Sequence, residues 1–128
     1  MASEEFRNMV LDYMGKGFLE NIIDMFQQDE SLFPLIIDMI TDERMRVRLG
    51  ATALVEETVQ KHPGPFKQLV PSIAILLRDE NPTVRGDAAN LLEIIGHKDA
   101  LPFLLDALHD KDQNVREIVE EAIRNIHV

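Results

Sequence analysis

A helical stripe of apolar residues occurs three times along the chain. In the middle copy, Val84, Ala88, Leu91, Leu92 and Ile95 follow the i, i+4, i+7, i+8 and i+11 spacing of an amphipathic helix. Nearly the same spacing starts 37 residues earlier and again 31 residues later. Each of these three segments is therefore predicted to be a helix that buries one face.

A segment denser in leucine and isoleucine precedes each stripe. The three segments cover residues 32–40, 69–77 and 101–108. Their apolar residues are not confined to one side, which is typical of helices covered on more than one face. The chain is thus predicted to consist of helix pairs, with a densely apolar first helix and an amphipathic second helix.

A proline occurs near the start of each first helix. Pro34, Pro71 and Pro102 hold the same place in the repeat. A proline is tolerated in the first turn because its missing N–H needs no partner there. Ser31 and Asp99 lie three residues before two of these prolines, so we expect both to be N-caps.

Glycine and proline mark the expected helix ends. Pro63-Gly64-Pro65 and Gly96 follow the first and second amphipathic stripes and are predicted to stop those helices. The two repeat offsets differ by six residues, and the difference falls on residues 62–67. We therefore predict a longer loop there, with the following helix beginning near residues 68 and 69.

A charged pattern repeats together with the apolar one. Each copy has an aspartate followed five and six positions later by Val-Arg. The repeated charged residues are Asp42, Arg48, Asp79, Arg85, Asp110 and Arg116. These columns predict three repeats, at about 31–64, 65–97 and 98–128, within one continuous domain.

The first thirty residues do not follow the repeat. Their apolar spacing predicts two helices joined at Gly15-Lys16-Gly17, and an atypical end unit of a repeat array is typically a cap. All six methionines lie within the first 45 residues. We favour irregular core filling as their role, and a groove for a partner around Met9, Met14 and Phe18 is the alternative.

The string at 79–92 resembles HEAT-like repeats of the phycobilisome-lyase type, as does the string at 99–108, which leads into the next Asp and Val-Arg column. The resemblance implies an all-α, right-handed α-solenoid of antiparallel helix pairs, with the second helices lining a concave face. It also implies that the repeated Asp and Arg side chains form a ladder between adjacent repeats. Val119 and Glu120 depart from the family pattern, which has a small Ala-Ala pair there.

A binding face on the three second helices follows from the helical period. Residues opposite the buried stripe, at 100° per residue, are expected on the concave face. They are Met45, Leu49, Thr52 and Glu56, then Gly86, Ala89, Asn90 and Glu93, then Glu117, Glu120, Glu121 and Arg124. The predicted face changes from partly apolar, through small and flat, to acidic.

Charge and composition exclude several functions. With 23 Asp and Glu against 13 Lys and Arg, the net charge of −10 disfavours nucleic acid and anionic membranes as partners. Neither cysteine nor paired histidine spacing is present, so we expect no metal and no cofactor. The start lacks the features of a signal peptide, and we expect a cytoplasmic protein.

These features favour a non-catalytic scaffold or adaptor that binds a partner protein or peptide on the concave face. No catalytic motif is found. One alternative is an accessory or chaperone subunit of a cofactor-handling enzyme, such as a bilin lyase-like assembly, which the repeat subtype suggests. Another is a self-associating structural protein that forms homo-oligomers through its terminal helices, with Ile118, Ile123 and Ile126 as candidate contacts.

Overall fold

The computed structural model describes residues 3–126, and every regular element in that range is helical. The α-helices are α1 (Glu4–Gly15), α2 (Leu19–Gln28), α3 (Leu35–Ile40), α4 (Met45–Thr58), α5 (Pro63–Ile75), α6 (Pro82–Ile95), α7 (Leu101–Ala107) and α8 (Gln113–Asn125). Short 3-10 turns at Glu30–Leu32 and Lys98–Ala100 precede α3 and α7, and a third, Leu76–Arg78, follows α5. The predicted all-α class is confirmed.

The chain divides into two compact units, one through Pro65 and the other from Phe66. In the first unit, α1, α2 and α3 all pack on α4. The predicted stripe of α4 is fully buried by these neighbours, including Val47, Leu54 and Val55. Helices α1 and α2 thus pack on the second helix of the first predicted repeat, and their role as a cap stays a prediction.

In the second unit, α6 packs most extensively against α8, which also contacts α7. Both predicted stripes face inward here, with Ala88, Leu92 and Val119 fully buried. Ile126, one of the candidate contacts for self-association, is buried. Contrary to the prediction, it is therefore not available to a second copy. Its burial follows from the packing of α8 on its own unit.

The two predicted N-caps are wrong. The 3-10 turn before α3 is capped by Asp29, whose side chain accepts the Ser31 N–H at 3.1 Å. The turn before α7 is capped by His97, whose Nδ1 accepts the Asp99 N–H at 3.1 Å. In both places the 3-10 turn precedes the α-helix, so the capping position lies two residues earlier in the chain than the sequence pattern indicates.

The predicted loop at residues 62–67 is also wrong. Pro63 and Pro65 lie in the first turn of α5 instead of ending α4. Proline has a φ angle suited to a helix, and the N–H that it lacks would have no partner in the first turn. The six additional residues therefore lengthen α5 and not the loop before it. As a result Pro71 lies inside α5 and not in its first turn. Pro102 lies in the first turn of α7, as predicted.

Glycine ends two helices as the sequence predicts. Gly96 follows α6 with φ of 70°, and Gly17 lies between α1 and α2 with φ of 92°. Both values belong to the left-handed region, which glycine adopts without steric cost.

The methionines divide between core and surface. Met14 and Met39 are buried, as core filling requires, whereas Met9 and Met45 are exposed. Met25 is half-buried, and Met1 lies outside the described residues. Core filling therefore describes two of these side chains and leaves two on the surface.

Helix α1 approaches α4 closely at Gly50. A Cβ atom at this position would overlap the buried Met14 side chain. We expect Gly50→Ala to lower the free energy of unfolding by roughly 1 kcal/mol, because overpacking costs about 1–3 kcal/mol and the gain in helix propensity returns about 1 kcal/mol. Urea unfolding monitored by circular dichroism measures the change.

Gly64→Ala is the matched control for this prediction. Gly64 is also helical, and a Cβ there would meet no atom within 4 Å. The control should therefore leave stability unchanged or raise it by up to about 1 kcal/mol. Equal shifts for the two variants would contradict the close approach of α1 to α4.

Candidate functional site

The repeated arginines hold the turn between the paired helices. In each repeat the Nη1 of the arginine donates a hydrogen bond to the backbone carbonyl of the aspartate six residues before it. The three distances are 2.8 Å for Arg48 to Asp42, 2.8 Å for Arg85 to Asp79 and 2.7 Å for Arg116 to Asp110. The recurrence of the arginine thus has a local structural cause.

Arg85 also forms a rung to the next predicted repeat. Its Nε lies 2.8 Å from Asp110 Oδ2, and its Nη2 lies 3.2 Å from Asp110 Oδ1. The two side chains are only 6% and 7% exposed. This two-bond, buried ion pair is a rung of the kind that the family resemblance implies.

The surroundings of Asp110 favour its charged form. Burial alone would raise the pKa of the Asp110 carboxyl, but the hydrogen bonds from Arg85 and from the Asp112 backbone N–H outweigh that effect. The pKa of Asp110 is therefore held below its ordinary value of 3.8. A pKa lowered by folding stabilises the folded chain above the unfolded-state value, and this stabilisation is lost as pH falls through the folded-state pKa.

The rung should therefore give the chain an acid-dependent component of stability. We expect the difference in unfolding free energy between wild type and Asp110→Asn to be constant from about pH 5 to 7 and to shrink as pH falls below about 4. Urea unfolding at a series of pH values measures this difference. A difference that stays constant to low pH would show that the Asp110 charge does not contribute.

A second ion-pair cluster was not predicted from the sequence. Arg44 Nε lies 3.0 Å from Asp42 Oδ1. Arg44 Nη1 lies 2.8 Å from Asp12 Oδ1. The Arg44 hydrogen bond lowers the pKa of Asp42 against the effect of burial. Arg44 thereby joins α1 to the start of α4. The repeat pattern gives no sign of this arginine, because the other two repeats have a different residue at the equivalent position.

The apolar part of the predicted binding face is exposed on α4. Met45 and Leu49 are 65% and 63% exposed, and one helical turn separates them. Thr52 is half-buried and Glu56 is exposed further along the same helix. This face lies on the side of α4 that α1, α2 and α3 leave open. We call Met45, Leu49, Thr52 and Glu56 the α4 face.

The middle part of the predicted face is wrong in two positions. Gly86 and Ala89 are buried, and α6 packs extensively on α8. A Cβ at Gly86 would lie 3.1 Å from Ile118 Cδ1, so the small residue permits close packing of the two helices. Neither Gly86 nor Ala89 presents a surface to a partner.

The two polar residues in this middle part are half-buried. Asn90 and Glu93 are both partly exposed on α6. Glu93 Oε2 accepts a hydrogen bond of 2.6 Å from Asn125 Nδ2. The Glu93 carboxylate is thus engaged with α8. The predicted flat zone between the apolar and acidic zones is largely an intramolecular contact.

The acidic part of the predicted face is exposed on α8. Glu117, Glu120, Glu121 and Arg124 are all accessible. Glu117 accepts a hydrogen bond from Gln113 Nε2 at 3.2 Å. Within residues 3–126, none of the three glutamates forms an ion pair. We call these three glutamates the α8 acidic face.

The N-terminal helices carry a further exposed apolar surface. Met9 and Tyr13 lie one turn apart on α1, and the Tyr13 and Phe18 rings pack with their centroids 5.5 Å apart. All three side chains are about 40–50% exposed. Met14, which belonged to the predicted alternative groove, is buried and is excluded from this surface.

The described residues hold no cluster of three or more His, Asp or Glu side chains arranged to bind a metal ion. Over the same range, no helix is both long and apolar enough to cross a membrane.

Comparison with known families agrees with this architecture. The family model for HEAT repeats matches residues 60–124, a span that begins just before α5 and extends into α8. No curated protein matches the chain at a significant level. HEAT repeats generally mediate protein–protein interaction and are usually non-catalytic scaffolds. The helix pairs are consistent with the α-solenoid class predicted from the sequence, and the chain belongs to the HEAT repeat family.

Proposed function

We propose that the chain is a non-catalytic interaction module that binds a partner protein through the α4 face. The observation that carries this proposal is the exposure of Met45 and Leu49 on one side of α4. Exposed side chains of this size contribute to binding when a partner removes them from water, at about 25 cal/mol per Å² of apolar surface. The general role of HEAT repeats in protein contacts supports the same conclusion.

The charges at the two ends of α4 also support a contact on this helix. Arg46 is exposed in its first turn, and Glu56 and Glu57 are exposed near its end. A helix is stabilised by the reverse arrangement, with anions at its N-terminus and cations at its C-terminus. Among the described residues, these three side chains form no ion pair. Their placement does not stabilise α4, and it suits a charged partner.

The chemistry of the partner follows from this distribution. A matching segment has apolar side chains at its centre to cover Met45 and Leu49. It brings carboxylates to the Arg46 end of α4 and cations to the end with Glu56 and Glu57. An amphipathic helix laid along α4 meets these requirements, since its apolar side chains recur at the same one-turn spacing.

We further propose that the α8 acidic face meets basic side chains of a partner. Its three glutamates are exposed and lack cationic partners within residues 3–126. Complementary charge of this kind accelerates encounter more than it slows dissociation. The α8 acidic face shares no residue with the α4 face, so separate substitutions test the two surfaces.

Affinity capture from a native lysate tests the α4 face. The baits are wild type, Leu49→Asp and the matched control Leu105→Asp, which introduces the same change at another exposed leucine, on α7. We expect a partner that is retained by wild type and by Leu105→Asp and is lost with Leu49→Asp. Circular dichroism must show that all three baits are folded. Equal retention by all three would contradict the proposal.

A further inference from the structure

An exposed apolar groove lies in the second unit, where the 3-10 turn after α5 and the start of α7 meet. Its lining residues are Ala74, Ile75, Leu76, Arg78, Asp79 and Phe103, and its volume is about 450 Å³. Ile75 is 72% exposed and Phe103 is 43% exposed. None of these residues belongs to the α4 face or to the α8 acidic face, so the proposed function does not use this groove.

Opposite charges lie side by side next to the groove. Arg78 Nη2 is 3.3 Å from Asp106 Oδ2, and these side chains are 82% and 74% exposed. Asp106 lines an adjoining hollow of about 180 Å³ that shares Arg78 and Phe103 with the groove. A surface pair so open to solvent stabilises the fold very little. Both charges are therefore available to another molecule.

We propose that this face binds the same face of a second copy of the chain. A two-fold contact places one patch against itself, so the patch must be self-complementary. Because Arg78 and Asp106 are adjacent, a two-fold axis near them sets Arg78 of each copy opposite Asp106 of the other. Ile75 and Phe103 of both copies are covered in the same contact.

Charge also favours this face over others as the homotypic contact. The chain carries a net charge of −10, so two copies repel each other over most approaches. The α8 acidic face, for example, would bring like charges together. The groove instead offers a cation beside a carboxylate together with exposed apolar surface.

Sedimentation equilibrium over a range of protein concentrations tests the contact. We expect the wild-type mass to rise toward that of a dimer, and Phe103→Asp to remain monomeric. Leu105→Asp is the matched control, because Leu105 is on the same helix, about 200° around it from Phe103, and does not line the groove. The control should associate like wild type.

A charge-mixing experiment tests the pairing itself. Arg78→Asp leaves two carboxylates on each copy, and Asp106→Arg leaves two cations, so each variant should repel itself and weaken dimerisation by roughly 100-fold. In an equimolar mixture each charge meets its opposite, and dimers should form again. Only intermolecular pairing predicts this recovery.

Three results would overturn the proposal. They are a wild-type chain that remains monomeric, a Phe103→Asp variant that dimerises like wild type, and a mixture that does not recover. A monomeric wild type would leave the groove to a different protein. The experiment uses no partner protein, so its outcome is independent of the proposed function of the α4 face.

Discussion

Replacing Asp110 with alanine should lower the free energy of unfolding by about 3–5 kcal/mol, because breaking a buried ion pair leaves an uncompensated charge. Arg85 is buried, and its side chain would lose both carboxylate hydrogen bonds. Its bonds to the carbonyls of Asp79 and Glu80 would remain and would hold the guanidinium in place without neutralising it. Urea unfolding at pH 7 measures the loss.

Asp106→Ala is the matched control. Asp106 also pairs with an arginine, Arg78, but in this case both partners are exposed. Removing it should change the unfolding free energy by about 1 kcal/mol or less. Stability is measured on dilute protein, where the proposed dimer does not contribute. If the two substitutions destabilise the chain equally, Arg85 and Asp110 do not form a structural rung.

Leu49→Asp should raise the dissociation constant of the isolated partner complex roughly 30-fold, equivalent to about 2 kcal/mol at a binding hot spot. Burying a carboxylate where the partner presents an apolar surface is unfavourable, and most such effects appear in the dissociation rate. Surface plasmon resonance with the captured partner measures both rates. Leu105→Asp, the same change on α7, should leave both rates unchanged.

Charge reversal on α8 should affect different rate constants. Replacing Glu117, Glu120 and Glu121 with lysine should slow association at low salt, and the effect should fade as salt screens the charges. Dissociation should change little. If the reversal leaves association unchanged at low salt, the α8 acidic face is not a contact for the partner.

The helix pairs could be predicted because apolar spacing directly reports which side of a helix is buried. The apolar pattern does not fix the helix starts, since a 3-10 turn before α3 or α7 moves the cap to Asp29 or His97 without changing that pattern. Pro63 and Pro65 by themselves indicate a break between helices, but proline is equally suited to a helix start, which is where both lie.

The binding face could be predicted only in part. A stripe on one helix shows that one side is buried, but it does not show how many neighbours that helix has. On α4 the opposite side is open at Met45 and Leu49, whereas on α6 it is covered by α8 at Gly86. Small residues favour either a flat surface or a close helix contact. Which of the two occurs depends on packing against residues that are distant in the sequence.

Methionine oxidation in the presence and absence of the partner tests the central claim, that the partner covers the α4 face. In the free chain, hydrogen peroxide should oxidise Met45 and Met9 faster than the buried Met14 and Met39. Peptide mass spectrometry measures each rate. In the complex, we predict that Met45 is protected while Met9 keeps its free rate. Protection of Met9 with Met45 still oxidised at its free rate would contradict the account and assign binding to the N-terminal helices.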